Sequence, residues 1–173
     1  MPVEADKSPA AQVGTITLGG DLTVNRMGFG AMRITGKGIW GPPADVPGAL
    51  ATLRRAVELG VNFIDTADSY GPDVSEELIA EALWPYPAGL VITSKAGWVR
   101  HGPGIWQHNA APAHIEEALE GSLKRLRLER IDVHWIAVAG DRRKTSLIGV
   151  AELSLCQPHP SFLSHDMTRC RLG

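Results

Sequence analysis

Apolar positions along the chain change their period several times, and each change marks an element. After Asp45, the residues Leu50, Leu53 and Val57, with the small Ala49 and Ala56, recur at three- and four-residue spacing, and Gly60 follows as a C-terminal cap. That pattern predicts a helix. A second helical pattern runs through Leu78, Ile79, Ala82 and Leu83, opened by Asp73 with Glu76 three residues on in the manner of a capping box and stopped by Pro85 and Pro87. A third passes through Ile115, Leu119, Leu123 and Leu126, with Lys124, Arg125 and Arg127 suited to the negative end of its dipole. Between these lie short continuous apolar runs, Met27–Met32, Val61–Asp65, Leu90–Thr93 and Ile131–Ile136, which predict buried strands. Ahead of them, two β-prone runs flank Gly19-Gly20-Asp21 within residues 13–25 and predict a hairpin.

Strand and helix therefore alternate, and the layer rules turn that alternation into an α/β fold with parallel strands and right-handed crossovers. An open doubly wound sheet and part of a (β/α)8 barrel both satisfy it. The long irregular stretches, Gly36–Pro43, Ala67–Asp73 and Gly97–Gly104, all follow strand ends, where a barrel carries its functional loops. The one Gly-x-Gly, at 28–30, lacks the third glycine of a dinucleotide fingerprint because position 33 is Arg. Both features favour the barrel.

Composition narrows the function classes. The 17 Lys and Arg nearly balance the 19 Asp and Glu, and they are scattered, which argues against a nucleic-acid partner. No apolar run reaches the ~18–20 residues that cross a bilayer, and residues 1–12 lack the apolar stretch of a signal peptide, so the expected location is the cytoplasm and no membrane partner is expected. The two cysteines, Cys156 and Cys170, fit a reducing compartment, and with His159 and His165 they form only a poor match to a zinc motif. No metal is expected.

Three side chains carry a chemical logic. Asp65 and Tyr70 follow one strand, and Lys95 ends the next, so a parallel barrel brings them to one rim. A phenol ordinarily loses its proton only near pH 10, and an adjacent ammonium stabilises the phenolate. In this reading Lys95 supplies that charge, Asp65 holds Lys95, and Tyr70 protonates a carbonyl oxygen as hydride reaches the carbon. Trp40, Trp98 and Trp106 lie on the strand-end loops and are candidates for walls of a substrate pocket, while His101, His108 and His114 lie in or beside the last of those loops.

The segments VNFIDTADSYG at 61–71, EELIAEAL at 76–83, ITSKAG at 92–97 and LEGSLKRLRLERID at 119–132 resemble the N-terminal half of an aldo-keto reductase, over roughly residues 13–133. GIWGPP at 38–43 and EALWPYP at 81–87 are most similar to the branch that includes bacterial pyridoxal reductases. The resemblance implies an NADPH-dependent (β/α)8 barrel acting on a small, pyridoxal-like carbonyl substrate. It implies that Asp65, Tyr70 and Lys95 are three members of an Asp-Tyr-Lys-His tetrad, and that Gly30, Ala31 and Met32 end the strand beside the nicotinamide.

The fourth tetrad member is absent from its register. The family's histidine stands five residues beyond the aspartate of the fourth strand, and here that position is Ala137. His134 is only two beyond Asp132, and strand alternation sends it to the opposite face from the lumen. The expected organisation is a flexible stretch at 1–12, a half barrel of about four to five βα units at 13–136, and a divergent, disordered tail at 137–173 in which KTSLIGVAELSL at 144–155 faintly resembles a later family strand. Such a truncated barrel leaves open sheet edges through which chains can self-associate, and it lacks the family's contacts to the far end of the cofactor. The alternative to an impaired reductase is a non-catalytic fragment or a subunit that pairs its edges with a partner.

Overall fold

The computed structural model describes residues 8–137 and the backbone of Ser146–Glu152. The hairpin forms as the turn residues require: β1 (Thr15–Leu18) and β2 (Leu22–Asn25) pair antiparallel, with Gly19 and Gly20 at φ of 61° and 88°. The remaining strands are β3 (Phe29–Gly30), β4 (Phe63–Asp65), β5 (Val91–Ala96), β6 (Trp98–Gly102), β7 (Ile105–His108), β8 (Arg130–Ile136) and β9 (Ser146–Glu152). The helices are α1 (Val46–Glu58), α2 (Val74–Leu83) and α3 (Pro112–Leu126).

β3, β4, β5 and β8 run parallel and stand side by side in chain order, with β9 added antiparallel to β8. An order without a switch point is that of a barrel wall rather than a doubly wound sheet. The three helices are the crossovers, and they cover one face. Leu53 of α1, Ile79 of α2 and Leu126 of α3 meet Ile64 of β4 and Ile131 of β8 in a single core, all fully enclosed. α1 starts where Asp45 accepts a hydrogen bond from the Gly48 N–H at 2.9 Å, a cap worth about 1 kcal/mol.

Side-chain alternation sorts the strands. Ile64 and Ser94 face the helices, so Asp65 and Lys95 face the other way, toward what is the lumen in a closed barrel. Asn25 ties the β1–β2 hairpin to the segment before β4, through the Asn62 side chain at 2.8 Å and the Gly60 carbonyl at 2.8 Å. The hairpin thus lies at the N-terminal end of the strands, opposite the long loops.

Several local expectations change. Only Phe29 and Gly30 of the 27–32 run pair as strand, and Ala31–Ile34 turn at once into a 3-10 helix. Residues 97–104 are not irregular: β6 and β7 form a hairpin around Pro103-Gly104, where Pro fixes the first turn residue and Gly104 takes φ 72°. Asp73 precedes α2 but makes no capping bond, because Asp73 and Glu76 are both taken by Arg125, at 3.1 and 2.7 Å. Arg125 accordingly serves an ion-pair cluster rather than the α3 dipole. No described helix is long and apolar enough to cross a membrane. Residues 138–145 and 153–173, including Cys156, His159, His165 and Cys170, lie outside the described residues, as do residues 1–7.

Candidate active site

At the C-terminal ends of the parallel strands the structure brings together the three side chains that the sequence singled out. Lys95 Nζ donates to Asp65 Oδ2 at 2.6 Å, to the Thr66 carbonyl at 2.8 Å and to Tyr70 Oη at 3.3 Å. The ammonium also sits 5.0 Å from the centroid of the Tyr70 ring. Lys95 therefore has all three of its protons directed, and the one on Tyr70 could stabilise a phenolate there.

The loop carrying Tyr70 is anchored on several sides. Asp68 N–H donates to the Lys95 carbonyl and Ser75 N–H to the Tyr70 carbonyl, at 3.3 and 3.0 Å. Beneath it, Ser75 Oγ donates to the Ala31 carbonyl at 3.2 Å and so accepts from Thr66 Oγ1 at 2.7 Å, linking the ends of β3 and β4 to α2. Gly97 is required where β5 leaves the sheet: at φ 111°, an added Cβ would lie 2.5 Å from the Ala137 carbonyl.

A cavity of about 290 Å³ opens over this cluster, lined by Met32, Ala67, Ser69, Tyr70, Lys95, Trp98, Trp106 and Ala137. Trp98 and Trp106 meet edge to face with centroids 6.1 Å apart and form its aromatic wall, while Trp40 is not among the lining residues and lies 5.7 Å from the Arg100 guanidinium. Of the three residues expected beside a nicotinamide, Met32 lines the cavity and Gly30 has open space where a Cβ would stand. Ala31 is enclosed in the core. The cavity beside Tyr70, at about 290 Å³, has room for a planar ring of the size of a nicotinamide.

Ala137 occupies the lumen position that the register assigns to the missing histidine, and it lines the same cavity as Tyr70 and Lys95. His134 pairs in register with Ser94, which faces Glu76 on α2, so His134 points into the helix layer. It is 2% exposed, its Nε2 has no partner, and burial pulls its pKa down to about 4. A neutral imidazole in that layer belongs to packing. His101 pairs with Gln107 at 2.7 Å on the outside of the β6–β7 hairpin, and His108 meets Trp98 edge to face.

Two features of this end of the sheet carry no signal in the sequence pattern. One is Arg100, enclosed among the strand-end loops with its pKa lowered by burial. The other is Asp68, whose carboxyl is pushed up to about 7, chiefly by burial and next by the charge of Glu76, against the opposing pull of Ser69 and Arg125. Its Oδ1 is buried without a partner.

Asp68 gives the fold a pH dependence of definite sign. A carboxyl whose folded pKa is raised from 3.8 to about 7 contributes stability that is full below pH 3.8 and lost as the pH climbs through about 7. His134 acts in the opposite sense, contributing above pH 6.5 and failing as the pH falls through about 4. Replacing Asp68 by asparagine removes the first contribution and leaves the second. D68N should gain stability relative to the parent between pH 5 and pH 8, read as a widening gap between their urea midpoints; a gap that stays constant contradicts a proton held on Asp68.

The sequence profile described as "Aldo/keto reductase family" matches residues 26–145. An uncharacterized oxidoreductase of Schizosaccharomyces pombe is 53% identical over 124 residues, which are 72% of this chain and 40% of that protein. Pyridoxine 4-dehydrogenase of Escherichia coli is 44% identical over 119 residues, 69% of this chain and 41% of that one. Among solved structures, an aldo-keto reductase from Klebsiella pneumoniae in complex with NADPH superposes with a TM-score of 0.55 at 25% identity, over 73% of this chain and 40% of that chain. The chain thus spans about two fifths of the length of the curated relatives it matches.

Proposed function

We propose, since the chain belongs to the aldo/keto reductase family, that it is built to reduce a small aldehyde or ketone with NADPH, Tyr70 being the proton donor. The observation that carries this reading is the single ammonium of Lys95 bonded both to Asp65 Oδ2 and to Tyr70 Oη, at the mouth of a cavity with an aromatic wall.

When bound, the nicotinamide supplies hydride to the carbonyl carbon. Tyr70 Oη gives its proton to the carbonyl oxygen, completing the alcohol. The phenolate that remains lies 3.3 Å from Lys95 Nζ, whose charge holds it until a proton returns from solvent. Asp65 keeps Lys95 charged and aimed. Met32 and Gly30 would hold the nicotinamide, and Trp98 and Trp106 would wall the substrate side. The likeness to pyridoxine 4-dehydrogenase makes a pyridoxal-like aldehyde the first substrate to assay. A cytoplasmic setting supplies the reduced cofactor this chemistry needs.

A second reading has its own observation. Ala137 places a methyl group where the family's histidine would stand, and β3 lies at an edge of the sheet with no strand beyond it among the described residues. Such a chain is a non-catalytic subunit that pairs its edge with another copy or partner. Cofactor binding separates the two. NADPH at about 100 times its dissociation constant stabilises the native state by about 2.7 kcal/mol, which raises the thermal midpoint by roughly 5–10 °C. An upward shift of that size with NADPH supports the reductase; no shift supports the non-catalytic subunit.

A further inference from the structure

Arg100 stands at the centre of the three strand-end loops. The residue is 7% exposed, and every one of its five N–H groups meets a backbone carbonyl. Nε donates to Ile105 at 3.1 Å, Nη1 to Ile39 at 2.8 Å and Ser69 at 3.0 Å, and Nη2 to Gly38 at 3.0 Å and Gly102 at 3.3 Å. These acceptors belong to the loop after β3, the loop after β4 and the β6–β7 hairpin after β5. The guanidinium also lies over two indoles, 3.7 Å from the centroid of Trp106 and 5.7 Å from that of Trp40.

The partners decide what such a hub does. Ser69 immediately precedes Tyr70, and both line the cavity together with Trp106. Ile39 has φ of 56°, a left-handed conformation costly for a β-branched residue, so its carbonyl keeps its direction only against a fixed donor. Tyr70 has independent anchors in Lys95 and in its own backbone bonds. The ring of Trp106, by contrast, meets Trp98 edge to face and has the Arg100 guanidinium stacked 3.7 Å from its centroid. Losing the guanidinium therefore frees the aromatic wall more than it frees the proton donor.

We propose that Arg100 is a positioning residue for this site, holding the three strand-end loops at one spacing and pinning Trp106 as the substrate-facing wall of the cavity. The kinetic part rests on the reductase reading above; the structural part does not. A planar five-donor fork is needed for this task, and a lysine with three donors on one atom cannot span five carbonyls.

The test uses R100A and R100K in the full chain. With far-UV circular dichroism unchanged, both variants should lose intensity in the near-UV tryptophan bands and become more accessible to acrylamide quenching. Methylguanidinium at millimolar concentration should restore both signals in R100A, and methylammonium should not. In carbonyl reduction the variants should raise KM about tenfold while kcat stays within about threefold, and methylguanidinium should return the KM of R100A toward that of the parent. Should R100A fail to fold, R100K carries the test alone through the tryptophan bands and KM. Tryptophan bands and quenching in R100K equal to those of the parent overturn the proposal. If the parent itself turns over no carbonyl, the reductase reading fails while the spectroscopic arm still decides the role of Arg100.

Discussion

Phenylalanine in place of Tyr70 is expected to lower NADPH-dependent aldehyde reduction by about 10²–10⁴-fold, the range a positioned general acid contributes. The substitution removes one oxygen. That oxygen makes a single described bond, the 3.3 Å contact from Lys95, while the ring and the surrounding backbone bonds stay in place. The variant should therefore unfold at the midpoint of the parent and bind NADPH equally well, so that the loss lies in kcat. Comparable rates in the two proteins, at equal cofactor binding, would remove Tyr70 from the chemistry and leave the Lys95–Asp65 pair as a structural ion pair.

The largest effect on stability is expected at Glu76. Its carboxylate is fully enclosed, accepting from Ser94 Oγ at 2.5 Å and from Arg125 Nε at 2.7 Å. It thereby ties α2 to β5 and to α3. Truncation in E76A leaves Ser94 and Arg125 facing a void, and breaking a buried pair from one side costs about 3–5 kcal/mol. Arg125 retains some solvent access, at 21% side-chain exposure, which places the expected value near the lower end of that range. Against a typical total of ~5–15 kcal/mol, such a loss is read as a large drop in urea midpoint, with E76Q falling between. A drop smaller than that of an exposed control such as E77A would show that the cluster contributes little. The same substitution removes a charge that helps keep Asp68 protonated, so it should also weaken the pH dependence described above.

Local pattern made much of this legible. The β–α alternation predicted the parallel sheet because each crossover helix carries its own apolar stripe, and Gly19-Gly20 predicted the hairpin because only such residues take its turn. Asp65, Tyr70 and Lys95 were legible because strand ends of a parallel sheet converge whatever the intervening sequence. Alternation likewise put Ala137, not His134, on the lumen side.

What stayed hidden depends on partners distant in sequence. Asp73 and Glu76 read locally as a capping box, and only the arrival of Arg125 from α3 redirects both carboxylates. Arg100 looks like an ordinary loop cation until carbonyls from residues 38, 39 and 69 close around it. Asp68 differs from an ordinary loop aspartate through burial and, next, through the charge of Glu76 on α2, and no local pattern encodes the burial. The β6–β7 hairpin was the exception, since Pro103-Gly104 announces a turn; the density of glycine around it obscured the two short strands.

The central claim is hydride transfer to a carbonyl carbon at the Tyr70–Lys95 cavity, and isotope transfer tests it most directly. The purified chain is incubated with an aldehyde and with NADPH deuterated on one or the other face of nicotinamide C4, and the alcohol is examined by mass spectrometry. The account predicts deuterium on the carbinol carbon from one of the two labelled cofactors only, formed about 10²–10⁴-fold more slowly when Y70F replaces the parent. Absence of deuterium in the alcohol from both cofactors would contradict it.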